Sequence, residues 1–255
     1  MASDKRDERD RRRRAIARRR IGLGMLIAAA VVAVIWGLVE LWTAPLLPVT
    51  KIQIEGASRL STESVLASAA IPAGTTLPKL PTAEIVLRLT ENPWIARASL
   101  SRSLPGTVKI SIVERKPAAV VDAGPAGPWL VSEDGYWIAP RSAQDTEALI
   151  TIRDVPVAVP GAGTQAKSEE LKNALAVVSG LSPELRARVG SISAATVDKT
   201  ALLLKDDIQV FLGSAEDLST KDELVRKILA KEKKLVYINV RVISRPTWRG
   251  LDAGN

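Results

Sequence analysis

Residues 94–114 have the sequence WIARASLSRSLPGTVKISIVE, and the fold of the surrounding chain follows from them. The pair Pro105-Gly106, which favours a turn, separates two strand-like runs, Trp94 to Leu104 and Thr107 to Glu114. Apolar and polar residues alternate in the second run, in the order Val108, Lys109, Ile110, Ser111 and Ile112. This period of two is typical of a strand that buries one face. The stretch therefore predicts a β-hairpin.

A strand and two helices are predicted upstream of this hairpin. Thr50 to Glu55 alternates apolar and polar residues, which indicates a half-buried strand. Ser61 to Ala69 has a helical apolar face behind a candidate N-cap. A second helical pattern begins near Thr82 and ends at Asn92-Pro93, because the residue before a proline disfavours helix. We expect the order β-α-α-β-β.

A basic tail and an apolar run precede these elements. Residues 1–20 hold ten basic residues, and the nineteen residues from Ile21 to Val39 carry no charge. As an α-helix the run is roughly 28 Å long, close to the thickness of a bilayer's hydrocarbon core. We expect a single transmembrane helix over residues 21–43, with the tail in the cytoplasm and the chain after Pro45 outside it. A cleaved signal peptide is the alternative, but its apolar core is normally shorter.

Two features of this region have a functional and a simpler interpretation. The arginine cluster is also compatible with nucleic-acid binding, but a topology signal that contacts anionic lipids explains it beside a membrane span. Ala29, Ala33 and Gly37 recur every four residues, which suits packing against another transmembrane helix. Alanine is also common in such spans without any partner.

The chain from Ala118 predicts a second domain over residues 118–244, mainly antiparallel β with at least two helices. Glu133-Asp134-Gly135 is a turn signal between two short strands. Ser168 to Ser179 carries a helical apolar stripe, Leu171, Ala174, Leu175 and Val178. With the N-terminal elements, the fold class is α+β.

The end of this second domain predicts a helix and a final strand. Thr220 and Glu223 have the spacing of a capping box, which favours a helix from Lys221 to Lys231. Leu235 to Ile243 alternates along nine residues, with Val236, Ile238 and Val240 expected in the core. Residues 245–255 have no core pattern, and we expect a flexible tail.

The composition narrows the possible chemistry. The chain has no cysteine and no histidine, which excludes disulfides, Cys/His metal sites and Ser-His-Asp triads. Glu133 and Asp134 are candidates for a hydrolase carboxylate pair, but adjacent acidic residues before a glycine are typical of a turn. We therefore predict no catalytic residue, no cofactor and no metal.

The order of the motifs resembles the bacterial FtsQ/DivIB family of division proteins along almost the whole chain. The matching segments are residues 49–56 (VTKIQIEG), 93–98 (PWIARA), 102–110 (RSLPGTVKI), 114–119 (ERKPAA), 131–135 (VSEDG), 210–213 (VFLG) and 238–241 (INVR). The resemblance implies a POTRA domain over residues 49–117, followed by the β domain of the family over residues 118–244. Asn239 departs from the family pattern, which often has aspartate there.

The resemblance also implies a function. Members of the family are scaffolds of the divisome in the cell inner membrane at the septum. They bind the small bitopic proteins FtsB and FtsL and link early division proteins to septal wall synthesis. Because the partner pairs with the last strand in the family, we expect the partner-binding residues Tyr237, Asn239, Arg241, Val242, Ile243, Ser244 and Trp248. The alternative is that this strand is covered and internal.

Two other function classes stay open. One is a POTRA-bearing component of a transport or secretion assembly, although such proteins normally continue into a membrane barrel, and no alternating runs with aromatic girdles are found here. The other is a bitopic enzyme that acts on the cell wall.

Overall fold

The computed structural model describes Met25 and residues 29–37, 47–158 and 160–250. The predicted basic tail 1–20, most of the predicted transmembrane helix 21–43 and residues 251–255 of the predicted C-terminal tail lie outside these residues. Residues 29–37 are helical, and Ala29, Ala33 and Gly37 are exposed there. Among the described residues, no helix has both the length and the apolar character that crossing a bilayer requires.

The chain forms two compact units. The first includes the described residues up to Gln53 together with Ile71–Pro81 and Ser101–Lys109. The second includes Ile54–Ala70, Thr82–Leu100 and the described chain from Ile110 onward.

The N-terminal elements have the predicted order β-α-α-β-β. They are β1 (Lys51–Glu55), α1 (Thr62–Ala69), α2 (Thr82–Thr90), β2 (Ile95–Ser103) and β3 (Thr107–Glu114), with the strand order β1-β3-β2 in a three-stranded sheet. The predicted alternation in β3 is confirmed, since Val108, Ile110 and Ile112 are buried. Ser61 caps α1, because its side chain accepts a hydrogen bond from the Ser64 N–H.

Gly56, directly after β1, is required by a close backbone approach. Its φ is +85°, and a Cβ atom at this position would lie 2.0 Å from the carbonyl oxygen of Ile112. Only glycine fits such a conformation at such a distance. The glycine therefore lets the chain turn tightly over β3.

The C-terminal part forms a nine-stranded sheet with helices packed on one face. Its elements are β4 (Pro117–Asp122), β5 (Pro128–Ser132), β6 (Trp137–Pro140), β7 (Ile150–Arg153), α3 (Glu169–Gly180), α4 (Pro183–Arg188), β8 (Val189–Ser193), β9 (Ala201–Leu204), β10 (Gln209–Phe211), α5 (Leu218–Lys231), β11 (Leu235–Asn239) and β12 (Thr247–Gly250). The strand order is β12-β11-β10-β9-β8-β7-β4-β5-β6. The predicted stripe of α3 is buried in the core, together with Val210, Val225 and Ile238.

The pairing within this sheet is mixed. The pairs β10/β11, β4/β7 and β7/β8 are parallel, and the other five pairs are antiparallel. Parallel neighbours need a crossover connection. The helices α3 and α4 connect β7 to β8, and α5 connects β10 to β11, which is why helices occur in a mainly antiparallel domain.

Four predictions about the end of the chain were wrong. The strand expected over Leu235 to Ile243 ends at Asn239, and it is internal, as in the alternative, because it pairs with both β10 and β12. The last helix begins at Leu218, not Lys221, and the buried side chain of Leu218 belongs to its core face. Val236 is 40% exposed, because a register shift between Leu235 and Tyr237 turns Leu235 inward instead. Residues 247–250, expected in a flexible tail, form β12 because they pair with β11.

Candidate functional site

An open groove of about 780 Å³ lies at the β12 end of the nine-stranded sheet. The groove is formed by the segment between β8 and β9, the loop after β10, the end of β11, the turn that follows it, and the start of β12. Its lining residues are Asp198, Gly213, Ser214, Asn239, Arg241, Val242, Ser244, Arg245 and Thr247. Four of the seven predicted residues are therefore brought together here.

Asn239 and Arg241 form a local hydrogen-bonded unit at this groove. The Asn239 Oδ1 atom accepts from the Arg241 backbone N–H at 3.2 Å and from the Arg241 Nε at 3.3 Å. An amide oxygen therefore makes both bonds that a carboxylate would make at this position, but without its negative charge. The charge of Arg241 consequently stays available to another molecule.

Two aromatic rings lie beside this unit. In the parallel pairing, Gln209 faces Tyr237 and Phe211 faces Asn239. The Phe211 and Tyr237 rings pack edge to face with their centroids 6.2 Å apart. The Arg241 guanidinium lies 5.9 Å from the Phe211 ring centroid, within the range of a cation–π contact.

The predicted residues do not all share one face of the sheet. Val210 and Ile238 point into the core that the helices cover, so Tyr237 and Asn239 lie on the opposite face. Trp248 pairs with Ile238 and projects from the helix-covered side, where it is 42% exposed. Ile243 lies in the turn before β12 and belongs to no strand.

Three exposed arginines give this end of the sheet a positive charge: Arg241, Arg245 and Arg249. Within residues 47–158 and 160–250, none of them forms an ion pair with a carboxylate. Asp198 is the one acidic residue in the groove lining. A groove of this charge favours a partner with acidic side chains.

The two edges of the nine-stranded sheet differ. At β6, the edge is covered by a loop, because the Trp137 N–H donates to the Thr164 carbonyl at 2.9 Å and the Gly163 N–H donates to the Trp137 carbonyl at 2.8 Å. At the other end, the described chain has no strand beyond β12. A strand edge without a neighbour is a template for pairing with another chain.

Sequence reasoning missed several residues of this site. Phe211, Gly213 and Ser214 come from the end of β10 and the loop after it, and Arg245 and Thr247 from residues expected to be turn or tail. The triplet of arginines at positions 241, 245 and 249 was visible in the sequence as a signal. That these arginines lie at one end of the sheet could not be predicted, because it depends on the pairing of β12 with β11.

The acidic pair Glu133 and Asp134 lies in a turn away from this groove. The Ser132 hydroxyl donates to the Asp134 carboxylate, and the Gln165 Nε2 donates to the Asp134 carbonyl at 3.0 Å. Gly135 has a φ of +78°. These contacts are those of turn-forming residues.

Comparison with known proteins gives the same family in both halves of the chain. Residues 47–115 match the family model of the FtsQ-type POTRA domain, and residues 119–241 match that of the C-terminal domain of cell division protein FtsQ/DivIB. Together the two matches cover most of the chain.

Individual relatives agree with these matches. The chain is 32% identical over 203 residues to the cell division protein FtsQ of Mycolicibacterium smegmatis, covering 78% of this chain and 58% of that protein. It is 31% identical over 212 residues to FtsQ of Mycobacterium tuberculosis H37Rv, covering 82% and 64%. With FtsQ of Corynebacterium glutamicum it shares 25% identity over 221 residues, covering 82% and 91%. The chain thus spans about 60% of the length of its mycobacterial relatives, and it belongs to the FtsQ/DivIB family of cell division proteins.

Proposed function

We propose that this chain is a non-catalytic, bitopic membrane scaffold of the bacterial divisome. It binds FtsB/FtsL-like partners through its extracytoplasmic domain and links early division proteins to septal peptidoglycan synthesis. Membership of a family of cell division proteins supports this role. Its place is the cell inner membrane at the septum, with the N-terminus in the cytoplasm.

The observation that carries the proposal is the edge of β12, which has no further strand beside it among the described residues, next to a positively charged groove. A partner segment in extended conformation adds to β12 as a further strand, and its main-chain groups bond to the free edge. Tyr237, Asn239, Arg241, Val242 and Ser244 then select its side chains. Ile243 lies beside this surface in the turn before β12, and Trp248 lies beside it on the helix-covered face of the sheet.

The charge of the groove defines the chemistry of the partner segment. Arg241 and Arg245 line it without a carboxylate partner among the described residues. Acidic side chains in the partner therefore steer the encounter and fix the register of the added strand. Phe211 and Tyr237 provide apolar surface next to these charges.

The membrane anchor completes the scaffold. The uncharged run from Ile21 to Val39 holds the domain at the membrane, and Ala29, Ala33 and Gly37 offer a small-residue face to a partner's transmembrane helix. Such an anchor also raises the local concentration of the domain near bitopic partners.

The test compares two charge reversals in the full-length protein. Arg241→Glu places a negative charge in the groove, and Arg186→Glu makes the same change at an exposed position on α4, in a different groove. We expect Arg241→Glu to weaken binding of an FtsB-like partner at least tenfold in a pull-down or titration, and Arg186→Glu to leave it unchanged. Equal binding by the wild type and Arg241→Glu would contradict the proposed binding site.

A further inference from the structure

The loop after β10 is held by side chains from two helices that take no part in the groove surface. Asn173 on α3 uses both ends of its amide for this purpose. Its Nδ2 donates to the Gly213 carbonyl at 3.2 Å and to the Thr200 hydroxyl at 2.9 Å, and its Oδ1 accepts from the Ala215 N–H at 2.7 Å. One side chain thus fixes the loop on both sides of Ser214.

Lys221 on α5 holds Ser214, which lies between Gly213 and Ala215 in this loop. Its Nζ donates to the Ser214 carbonyl at 2.7 Å, and the residue is only 3% exposed. Burial lowers the pKa of Lys221, while the carboxylates of Asp217 and Glu216 act in the opposite direction. Burying an ammonium group is costly, and in this structure the ammonium bonds to a loop carbonyl.

This loop segment touches the residue that defines the charge of the groove. Gly213 and Ser214 line the groove together with Arg241. Gly213 has a φ of +68°, and a Cβ atom on it would lie 3.2 Å from the Arg241 Cγ. The stem of Arg241 therefore rests on the backbone that Asn173 and Lys221 hold in place.

We propose that Asn173 and Lys221 are positioning residues of the partner groove. They fix residues 213–215, and through Gly213 they set the position of Arg241 without touching the partner themselves. This inference rests on the proposed function, in which Arg241 meets the partner.

Asp222 provides a matched control within the same helix. It follows Lys221 directly and is also 3% exposed. Its carboxylate accepts from the Ser182 N–H and hydroxyl, both at 3.0 Å, and from Arg226 Nε at 2.8 Å. It therefore anchors the start of α4 instead of the groove loop.

The experiment uses the full-length protein with the changes Lys221→Met and Asp222→Asn. The probe is the extracytoplasmic segment of an FtsB-like protein from the same genome. We expect both changes to lower the unfolding temperature, but only Lys221→Met to weaken binding of the probe, by about tenfold. We also expect faster hydrogen exchange at the Ala215 amide in Lys221→Met than in Asp222→Asn. Equal binding by these two variants would overturn the inference.

A second variant covers the case in which Lys221→Met does not fold. Asn173→Asp keeps the size of the side chain and the acceptor for Ala215, but replaces the donor to Gly213 by a carboxylate oxygen. We expect weaker binding of the same probe, whereas wild-type affinity in a folded Asn173→Asp protein overturns the inference. The Arg241→Glu variant separates the two proposals. If it weakens binding while Lys221→Met and Asn173→Asp do not, the positioning role alone is wrong, and if it does not, the groove assignment itself is wrong.

Discussion

At the scale of single residues, Glu114 holds the loop that follows β1. Its carboxylate accepts from the backbone N–H groups of Ser58 at 3.0 Å, Arg59 at 3.0 Å and Leu60 at 2.9 Å, and from the Ser58 hydroxyl at 2.6 Å. Desolvation raises the pKa of Glu114, but these hydrogen bonds together outweigh it and lower the pKa to about 2. Arg59 is in the same loop. Its Cζ atom lies 3.9 Å from the ring centroid of Trp94, and its guanidinium forms a salt bridge with Asp145.

We expect Glu114→Gln to lower the free energy of unfolding by roughly 1 to 2 kcal/mol at pH 7, because a charged acceptor of several hydrogen bonds is lost. A carboxyl group with a lowered pKa in the folded state stabilises the protein above its unfolded pKa of 4.5. This stabilisation disappears as the pH falls from 4.5 towards 2. Urea unfolding of wild type and variant at pH 7 and pH 3 measures the change.

The control for this prediction is Glu91→Gln. Glu91 is exposed, and the same change there should alter the free energy of unfolding by less than about 0.5 kcal/mol. A difference between wild type and Glu114→Gln that is as large at pH 3 as at pH 7 would show that the carboxylate charge does not hold this loop.

At the scale of elements, β12 is the strand on which the proposed partner binding depends. In the part of the chain that the structure describes, β12 is the strand at this edge of the sheet, because β11 is paired on both sides, with β10 and with β12. The backbone N–H groups of an antiparallel edge strand point alternately to the neighbouring strand and away from it. Trp248 and Arg249, which are consecutive, therefore differ in the direction of their N–H groups.

This alternation allows a test with its own control. Proline removes one N–H group, so Trp248→Pro and Arg249→Pro differ in which side of β12 loses a donor. We expect one of the two variants to lose stability and the other to keep its unfolding temperature but lose binding of the FtsB-like segment. If the variant that keeps its stability also keeps wild-type binding, strand addition at β12 is wrong.

At the scale of the whole molecule, the predicted arrangement places the large domain outside the cytoplasm. The concentration of arginine in the first twenty residues makes their transfer across the membrane costly. We expect a protease added to intact spheroplasts to cut the chain after Pro45 and to leave an N-terminal tag intact. In lysed spheroplasts, the tag should be cut as well. Protection of the large domain in intact spheroplasts would contradict this topology and with it the proposed scaffold.

Elements whose signals are local can be predicted from the amino-acid sequence. The alternation of Val108, Ile110 and Ile112 predicts β3, and the stripe of Leu171, Ala174, Leu175 and Val178 predicts α3; both are buried as expected. The spacing of the apolar residues shows which face of the strand or helix is apolar. That face can be predicted to be buried without knowing which element packs against it. The family motifs are equally local, because each is a short run of consecutive residues, and the POTRA and β domains are therefore recognisable from the amino-acid sequence.

The end of the sheet and the composition of the groove depend on tertiary contacts and could not be predicted from the sequence. Residues 247–250 have no apolar pattern, and they form a strand only because β11 offers them a partner. Asn173, Gly213 and Arg241 are far apart in the chain, and they are close together because α3 and the end of β11 lie beside the loop after β10. Pairing at an edge and contacts between distant side chains depend on geometry that no short stretch of sequence contains, because their free energy arises only when the rest of the fold is already in place.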